Sequence, residues 1–230
     1  VDGLVSAGNT GAVVAATLVS LGKLSGVRRP AIASLFPTVR ESGVLIDVGA
    51  CVDSRPNDLL TVATMGETYA RCVLGRRDPR VALMNIGVES HKGSELTQTA
   101  HGLLSESPLN FVGNIEGTTL LMGEADVVVC DGFVGNVMLK LIEGVIGMLT
   151  SMAHGDPESI GLGILKDQLD YAEYGGAPLL GVDGAVIIAH GSSSVKAIKN
   201  AVRVAGQFVN VDLHGAIVER LREVVTTNGR

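Results

Sequence analysis

The sequence predicts an α/β fold: a doubly wound, mostly parallel sheet with helices on both faces. Short apolar runs such as "AIASLF", "RVALMNIG" and "ADVVVCDG" alternate with helix-length amphipathic segments, the pattern of repeated βα units. The chain carries 30 glycines in 230 residues with no tripeptide period, which suits many tight strand-to-helix turns. Aromatic residues make up only 3% of the chain, so the core must be aliphatic. A balance of 46% hydrophobic and 18% charged residues is that of a globular chain with a sizeable core.

The elements follow in order. Residues 1–7 read as a buried strand and 12–24 as a helix packed on a sheet. "AIASLF" and "GVLIDVG" read as short buried strands. The next helix starts near Ser54, a plausible cap, with Pro56 in its first turn. "RVALMNIG", "NFVGNIEG" and "ADVVVCDG" are further strands, with "SELTQTAHGLLSES" a helix between the first two. Residues 136–152 form a long helix whose apolar face is wider than one sheet contact requires. A second helix is expected over 160–171, so 136–171 reads as a helical pair projecting from the core of a single domain, residues 1–230. "EYGGAPLLGVDG" reads as a turn-rich loop, "AVIIAHGS" as a strand, and 194–209 and 213–225 as closing helices. A first residue of valine running straight into a strand suggests truncation at the N-terminus.

Charge and cysteine content exclude several classes. A formal net charge of −6 argues against nucleic acid as a partner, since phosphate contacts need clustered Lys and Arg. Three widely spaced cysteines, Cys51, Cys72 and Cys130, suggest neither a disulfide framework nor a metal site, and a reducing cytoplasm is the expected compartment. No cofactor motif stands out: a G-x-G-x-x-G turn with a downstream acid is missing. No uninterrupted apolar run reaches the ~18 residues of a membrane span.

The first turn raises a chemical expectation. Ser6, Gly8, Asn9, Thr10 and Gly11 lie where a strand passes into a helix, leaving backbone N–H groups and a positive dipole end free to seat an anion. A plain capped βα turn is the competing reading. Polar or glycine clusters also end other strands: Asp47–Gly49, Asn85–Gly87, Gly113–Asn114 and Asp131–Gly132. In an open parallel sheet these ends share the edge where ligands bind, so they are expected to converge.

Read with that turn, the segments "DVGACVD", "NIGVESHKG", "VVCDGFVGNV" and "YGGAPLLGVDG…AHGSS" resemble the bacterial phosphate acyltransferases of phospholipid synthesis, the PlsX family, in matching order from Val1 to about Gly206. Cys51 stands where that family commonly has Asn, and Val88 where it has an acid. The resemblance implies an isocitrate/isopropylmalate dehydrogenase-like three-layer fold. It also implies a reaction in which inorganic phosphate attacks the thioester of acyl-acyl-carrier-protein to give acyl phosphate. Such a step needs no strong base and no covalent enzyme intermediate, because phosphate is already anionic and a thiol of pKa ~8.5 leaves readily. Positioning and charge stabilisation should dominate.

Within that resemblance Lys92 is expected to neutralise phosphate or the developing oxyanion. Asp131 and Asn136 flank the glycine turn that holds Gly132 and Gly135. They are expected to orient a donor and bind phosphate or the carbonyl oxygen, with helix capping the plainer role for Asp131. His190 is a possible hydrogen-bond donor or acid. Asn114, Gly175 and Gly176 are expected to line the substrate site, with Glu116 a weaker choice. Lys196, Lys199 and Arg203 share one helix face and are expected to dock the acidic carrier protein, with Arg28–Arg29 and Arg76–Arg77 as rival patches. The resemblance further implies a homodimer and a peripheral membrane contact through 136–171. The alternatives are a phosphotransacylase acting on acyl-coenzyme A, a decarboxylating oxidoreductase, and a non-catalytic membrane-docking scaffold.

Overall fold

Alternation along the strands decides how the sheet is covered. In β3 (Gly43–Ile46), Val44 and Ile46 enter one apolar cluster and Leu45 the other. The same division separates Val127 and Val129 from Val128 in β6 (Val127–Val129), and Val81 and Leu83 from Ala82 and Met84 in β4 (Val81–Met84). A strand with apolar side chains on both faces must be buried on both. Helices α2 (Pro56–Cys72), α3 (Glu95–Ser105), α5 (Val195–Asn210) and α6 (Leu213–Asn228) supply one layer, while α1 (Thr10–Ser20) and α4 (Gly132–Met152) supply the other. The computed structural model describes residues 1–152 and 175–228, and within them it is a three-layer α/β/α arrangement.

The remaining strands are β1 (Gly3–Ser6), β2 (Ala31–Phe36), β5 (Phe111–Ile115), β7 (Ala177–Leu180) and β8 (Ala185–Ile188), and the sheet order is β1-β8-β7-β2-β3-β6-β4-β5. The sheet is mixed rather than simply parallel. β1 with β8, and β3, β6, β4 and β5 with one another, pair in parallel. β7 is antiparallel to both β8 and β2, and β2 is antiparallel to β3. The expectation of one loop over "EYGGAPLLGVDG" is corrected here, because Ala177–Leu180 is a strand inside the sheet. Its brevity, the glycine pair before it and Pro178 within it hide the usual strand signal.

Strand direction corrects a second expectation. β3, β4, β5 and β6 run together, so the clusters at Asp47, Asn85, Asn114 and Asp131 share one edge. β1 and β8 run the other way relative to them, so Asn9 and His190 follow strands that end on the opposite edge. Residues 1–7 also form a shorter strand than expected, with Gly3 and Leu4 exposed at the end of the sheet.

Local chemistry explains the helix starts. Asn9 caps α1, its Oδ1 accepting the Ala12 N–H at 3.0 Å, so the helix begins at Thr10. α2 starts one residue after the expected cap. Arg55 is its N-cap, Pro56 opens the first turn, and Asp58 accepts the Arg55 N–H at 2.6 Å. Ser194 caps α5 through the Ala197 N–H at 3.3 Å.

α4 packs on the sheet through Val134, Met138, Leu139 and Ile142. Its opposite side leaves Phe133, Val137, Leu141, Val145, Met148 and Met152 exposed. By length and composition Gly132–Leu149 is a segment that could cross a membrane. It contains no unbroken apolar run of that length, because Lys140 and Glu143, paired at 2.8 Å, interrupt it. The second helix expected over 160–171 lies outside the described residues.

An ion pair joins the residues that lead into β4 and β6. Asp126 accepts from Arg80 N–H at 2.8 Å, Nε at 3.0 Å and Nη2 at 3.2 Å. Burial pushes the Asp126 carboxyl up, but these Arg80 hydrogen bonds outweigh it and hold it below its usual value. A depressed carboxyl stabilises the fold above its unfolded pKa of ~3.9 and loses that contribution as pH falls through the folded value. Asp126→Asn is therefore expected to lower stability at pH 7 by roughly 1–3 kcal/mol, the scale of a charged hydrogen bond. Urea titrations at pH 7 and pH 3 check this, with the difference from the unaltered protein shrinking at pH 3.

Candidate active site

The edge where β3, β6, β4 and β5 end is organised around Asp47, whose side chain is almost fully buried. Its Oδ1 accepts N–H bonds from Ala50 at 2.8 Å, Gly49 at 3.2 Å and Ile32 at 3.3 Å, and its Oδ2 accepts one from Cys51 at 2.8 Å. Burial raises the Asp47 carboxyl, and the four N–H groups pull it back. The 48–51 turn is thereby wrapped around one carboxylate and fixed to β2.

That turn positions the start of α4. The Cys51 carbonyl accepts the Gly132 N–H at 2.8 Å. A Cβ on Gly135 would collide with the Asp47 carbonyl, so only glycine lets the helix come this close. Asp131 Oδ1 accepts from Phe133 N–H at 2.9 Å and Val134 N–H at 3.0 Å, which makes it the α4 cap. Asn136 is exposed one turn further on and packs beside Gly49. Cys130 is fully buried, its thiol pushed well up by burial and then by the charges of Asp47 and Asp131, so it is not a nucleophile.

On the same edge the 86–93 loop is clamped by amides. Asn85 Nδ2 donates to the Lys92 carbonyl at 3.0 Å, Asn114 Nδ2 to the Glu89 carbonyl at 2.8 Å, and Gln98 Nε2 to the His91 carbonyl at 2.8 Å. Asn114 also meets His101 Nδ1 at 3.0 Å through its Oδ1. Both ends of that amide are occupied, so Asn114 positions the loop rather than presenting itself to a ligand. Lys92 is half-buried, with no ion-pair partner among the described residues.

A cleft of about 640 Å³ runs along β2 between α4 and the opposite edge. One wall is apolar, with Ile32, Leu35, Phe36, Leu139, Ile142 and Ile146. The other carries Thr10, His190, Ser192, Ser193 and Ser194, and Asn136 stands beside Gly49 at the α4 start. His190 Nδ1 lies 2.6 Å from Ser192 Oγ. Two helix N-termini, those of α1 and α5, thus face the apolar wall. The volume lies in the ~300–1,000 Å³ range of small-molecule sites.

The cleft brings together Thr10, Asn136, Gly176 and His190 of the expected site residues. Lys92, Asp131 and Asn114 belong to the neighbouring strand-end cluster and do not line it. Ser6, Gly8 and Asn9 line a separate groove beside β1. Gly132, Gly135 and Gly175 have packing reasons for being glycine: a Cβ on Gly132 would lie 2.7 Å from the Cys51 carbonyl, and one on Gly175 would strike the backbone of Asn200 and Ala201. Lys196, Lys199 and Arg203 are exposed on the outer face of α5, opposite the buried Ala197, Ala201 and Phe208. Asp47 and Asn85 are expected from the sequence only as members of strand-end clusters, and Ser192 and Ser193 only within a family-like segment; the structure gives Asp47 the 48–51 turn, Asn85 the 86–93 loop and the serines a cleft wall. The signal for the first two was a polar side chain at the very end of a buried strand.

The family model for a fatty acid synthesis protein matches residues 1–215. A phosphate acyltransferase of Heliobacterium modesticaldum is 51% identical over 95% of this chain and 69% of its own length. One from Dictyoglomus turgidum is 47% identical over 97% of this chain and 71% of its own length. The chain belongs to the phosphate acyltransferase family, a family of enzymes. Among solved structures it is similar to the EutD phosphotransacetylase from Staphylococcus aureus, with a TM-score of 0.59, 15% identity, and coverage of 94% of this chain and 63% of that one. A branched-chain phosphotransacylase from Enterococcus faecalis also has a TM-score of 0.59, with 16% identity over 90% of this chain and 73% of its own length. At such identities the likeness is one of fold. The chain thus spans less than two thirds of the staphylococcal structure and somewhat over two thirds of its curated relatives.

In this phosphate acyltransferase chain the loop clamp has a direct test. Asn114→Ala removes the donor to Glu89 and the partner of His101, so hydrogen–deuterium exchange of the 86–93 amides is expected to accelerate by about tenfold or more, the loss of roughly one hydrogen bond. Unchanged exchange there would remove the positioning role of Asn114.

Proposed function

We propose that the full-length protein converts acyl-acyl-carrier-protein and inorganic phosphate to acyl phosphate and free carrier protein, supplying phospholipid synthesis. The observation that carries this reading is the cleft in which an apolar wall faces two helix N-termini, His190 and Asn136, in a chain of the phosphate acyltransferase family. A thioester needs an apolar bed for its chain, and phosphate needs N–H and hydroxyl donors.

A phosphate oxygen attacks the thioester carbonyl, a C–O bond forms, and the C–S bond breaks as the thiolate leaves. The proton lost from hydrogen phosphate passes to the thiolate through solvent or His190. Phosphate is seated by the Thr10 hydroxyl and the cleft serines at the starts of α1 and α5. Asn136 donates to the carbonyl oxygen as it becomes an oxyanion, and Lys92, on the strand-end edge from which α4 starts, adds positive charge on that side of the site. Asp131 holds the first turn of α4, and with it Asn136. Gly175 and Gly176 keep the β7 loop low at the cleft margin. No metal or cofactor is needed, because donors and a cation supply the stabilisation. An isocitrate dehydrogenase-like arrangement fits this use of a mixed sheet.

Lys196, Lys199 and Arg203 form the docking stripe for the acidic carrier protein, which the chain's net charge of −6 would otherwise repel. The same chemistry with acyl-coenzyme A is the nearest alternative. Phosphate-dependent thioester cleavage, measured side by side on carrier-bound and coenzyme-A-bound chains with hydroxylamine trapping of acyl phosphate, separates them. A higher kcat/KM on the carrier-bound donor is expected, and a preference for coenzyme A would select the alternative.

Lys92→Ala is expected to lower turnover by on the order of 10²-fold, the scale of losing one oxyanion-stabilising group. Lys92→Arg should rescue only partly, since a planar fork does not reproduce a compact ammonium. Near-normal turnover of the alanine variant would return Lys92 to an ordinary loop lysine.

The exposed stripe on α4 is assigned to a second copy of the chain, making a homodimer in the cytoplasm, with peripheral membrane contact through 136–171 as the competing use. Leu149, half-buried, is not on that stripe, whereas Leu141 is 65% exposed. Leu141→Glu is expected to turn the dimer into monomer in sedimentation velocity. An intact dimer that no longer cosediments with anionic vesicles would favour the membrane use.

A further inference from the structure

Lys92 is held on both of its backbone groups. Its N–H donates to the Glu89 carbonyl at 3.1 Å, and its own carbonyl accepts Asn85 Nδ2 at 3.0 Å. Its side-chain stem lies on Gly87, where a Cβ would come within 2.9 Å of Lys92 Cγ. The loop backbone therefore sets where the ammonium can reach. The Glu89 carbonyl also accepts Asn114 Nδ2 at 2.8 Å, so a single oxygen joins Lys92 to β5.

That joint depends on which way the Asn114 amide is turned. With Nδ2 toward Glu89, Oδ1 faces His101 Nδ1 at 3.0 Å. An amide oxygen only accepts, so the ring hydrogen sits on Nδ1. A flipped amide would set Oδ1 against the Glu89 carbonyl, two acceptors opposed, at a nearly buried residue. His101 is itself steadied by Phe111, whose ring meets it edge-on with centroids 5.1 Å apart. It belongs to α3, which also grips the loop directly, through Gln98 Nε2 on the His91 and Gly93 carbonyls at 2.8 and 3.1 Å.

We propose that His101 is a positioning residue for acyl transfer: its Nδ1–H fixes the Asn114 amide, and the Asn114–Glu89 bond then holds the Lys92 backbone in the place from which its charge acts. His101 does not line the cleft. It acts only through Asn114, Glu89 and Lys92, and the inference rests on the role given to Lys92 above.

The test measures acyl phosphate formation by the full-length protein on hexadecanoyl-carrier-protein. His101→Phe keeps a ring against Phe111 but has no donor, and kcat is expected to fall about tenfold, the scale of one hydrogen bond. KM for the thioester should stay within about twofold, since no contact to substrate is lost. His101→Asn, whose Nδ2 is attached to Cγ as the ring Nδ1 is, should restore kcat to within about threefold. His101→Ala, a good helix former, takes the place of the Phe variant if that one does not fold. In a Lys92→Ala background the same change at His101 should cost no more, because the two residues act along one route. A further tenfold loss there, or no loss in the Lys92 background, overturns the proposal. Hydrogen exchange at the Lys92 amide, read by NMR, needs no turnover and should quicken about tenfold in His101→Phe and little in His101→Asn. If Lys92→Ala turns over normally while Lys92 exchange quickens in His101→Phe, the role of Lys92 fails and His101 still sets the loop. Unchanged exchange together with unchanged kcat in His101→Phe would overturn the proposal outright.

Discussion

The carboxylate of Asp47 is the constraint on which the site depends. A nearly buried acid is costly unless its lone pairs are met, and here four backbone N–H groups meet them. Those bonds hold the 48–51 turn in one shape and fasten it to β2. The turn then receives Gly132 through the Cys51 carbonyl, and the close approach of Gly135 brings the first turns of α4 down onto it. Asn136 stands where it does because Asp47 is satisfied. The orientation of the whole helix, and so one wall of the cleft, follows from a bond set within a few residues of chain.

The mixed sheet gives that wall something to face. Because β7 and the reversal between β2 and β3 turn the strand direction, the α1 and α5 N-termini approach from the edge opposite the Asp47 cluster. A helix lying across β2 then spans from one edge to the other, with polar groups at its start and apolar ones along its length. A uniformly parallel sheet would have stacked all the polar strand ends together and left no long apolar channel between them.

Much of this was legible in the residues. The alternation of apolar runs with helix-length segments placed most strands and helices, and the βα turns at Asn9, Asp47 and Asp131 were visible as polar or glycine clusters after apolar runs. Strand direction was not visible, since the period-two pattern of Val127–Val129 or Val44–Ile46 is the same whichever way the strand runs. β7 was hidden by Pro178 and the preceding glycines. Asn114 was read as a ligand residue because a polar side chain at a strand end looks the same whether it meets substrate or, as here, a loop carbonyl and His101. Asp47 shows the converse. Its motif was plain, but that one carboxylate gathers four N–H groups depends on a turn whose shape no spacing rule specifies.

The chemistry assigned to the cleft is direct attack, with the protein holding phosphate and thioester together rather than carrying the acyl group itself. The buried Cys130, its thiol pushed well up by burial, fits this, because a thiol held in that state does not act as the nucleophile. The most direct measurement is intact-protein mass spectrometry of the full-length protein mixed with acyl-carrier-protein, without and then with ¹⁸O-labelled phosphate. Direct attack predicts no acyl adduct before phosphate is added, and acyl phosphate carrying labelled bridging oxygen afterwards. A protein heavier by one acyl group before phosphate is added, discharged when phosphate arrives, would contradict it.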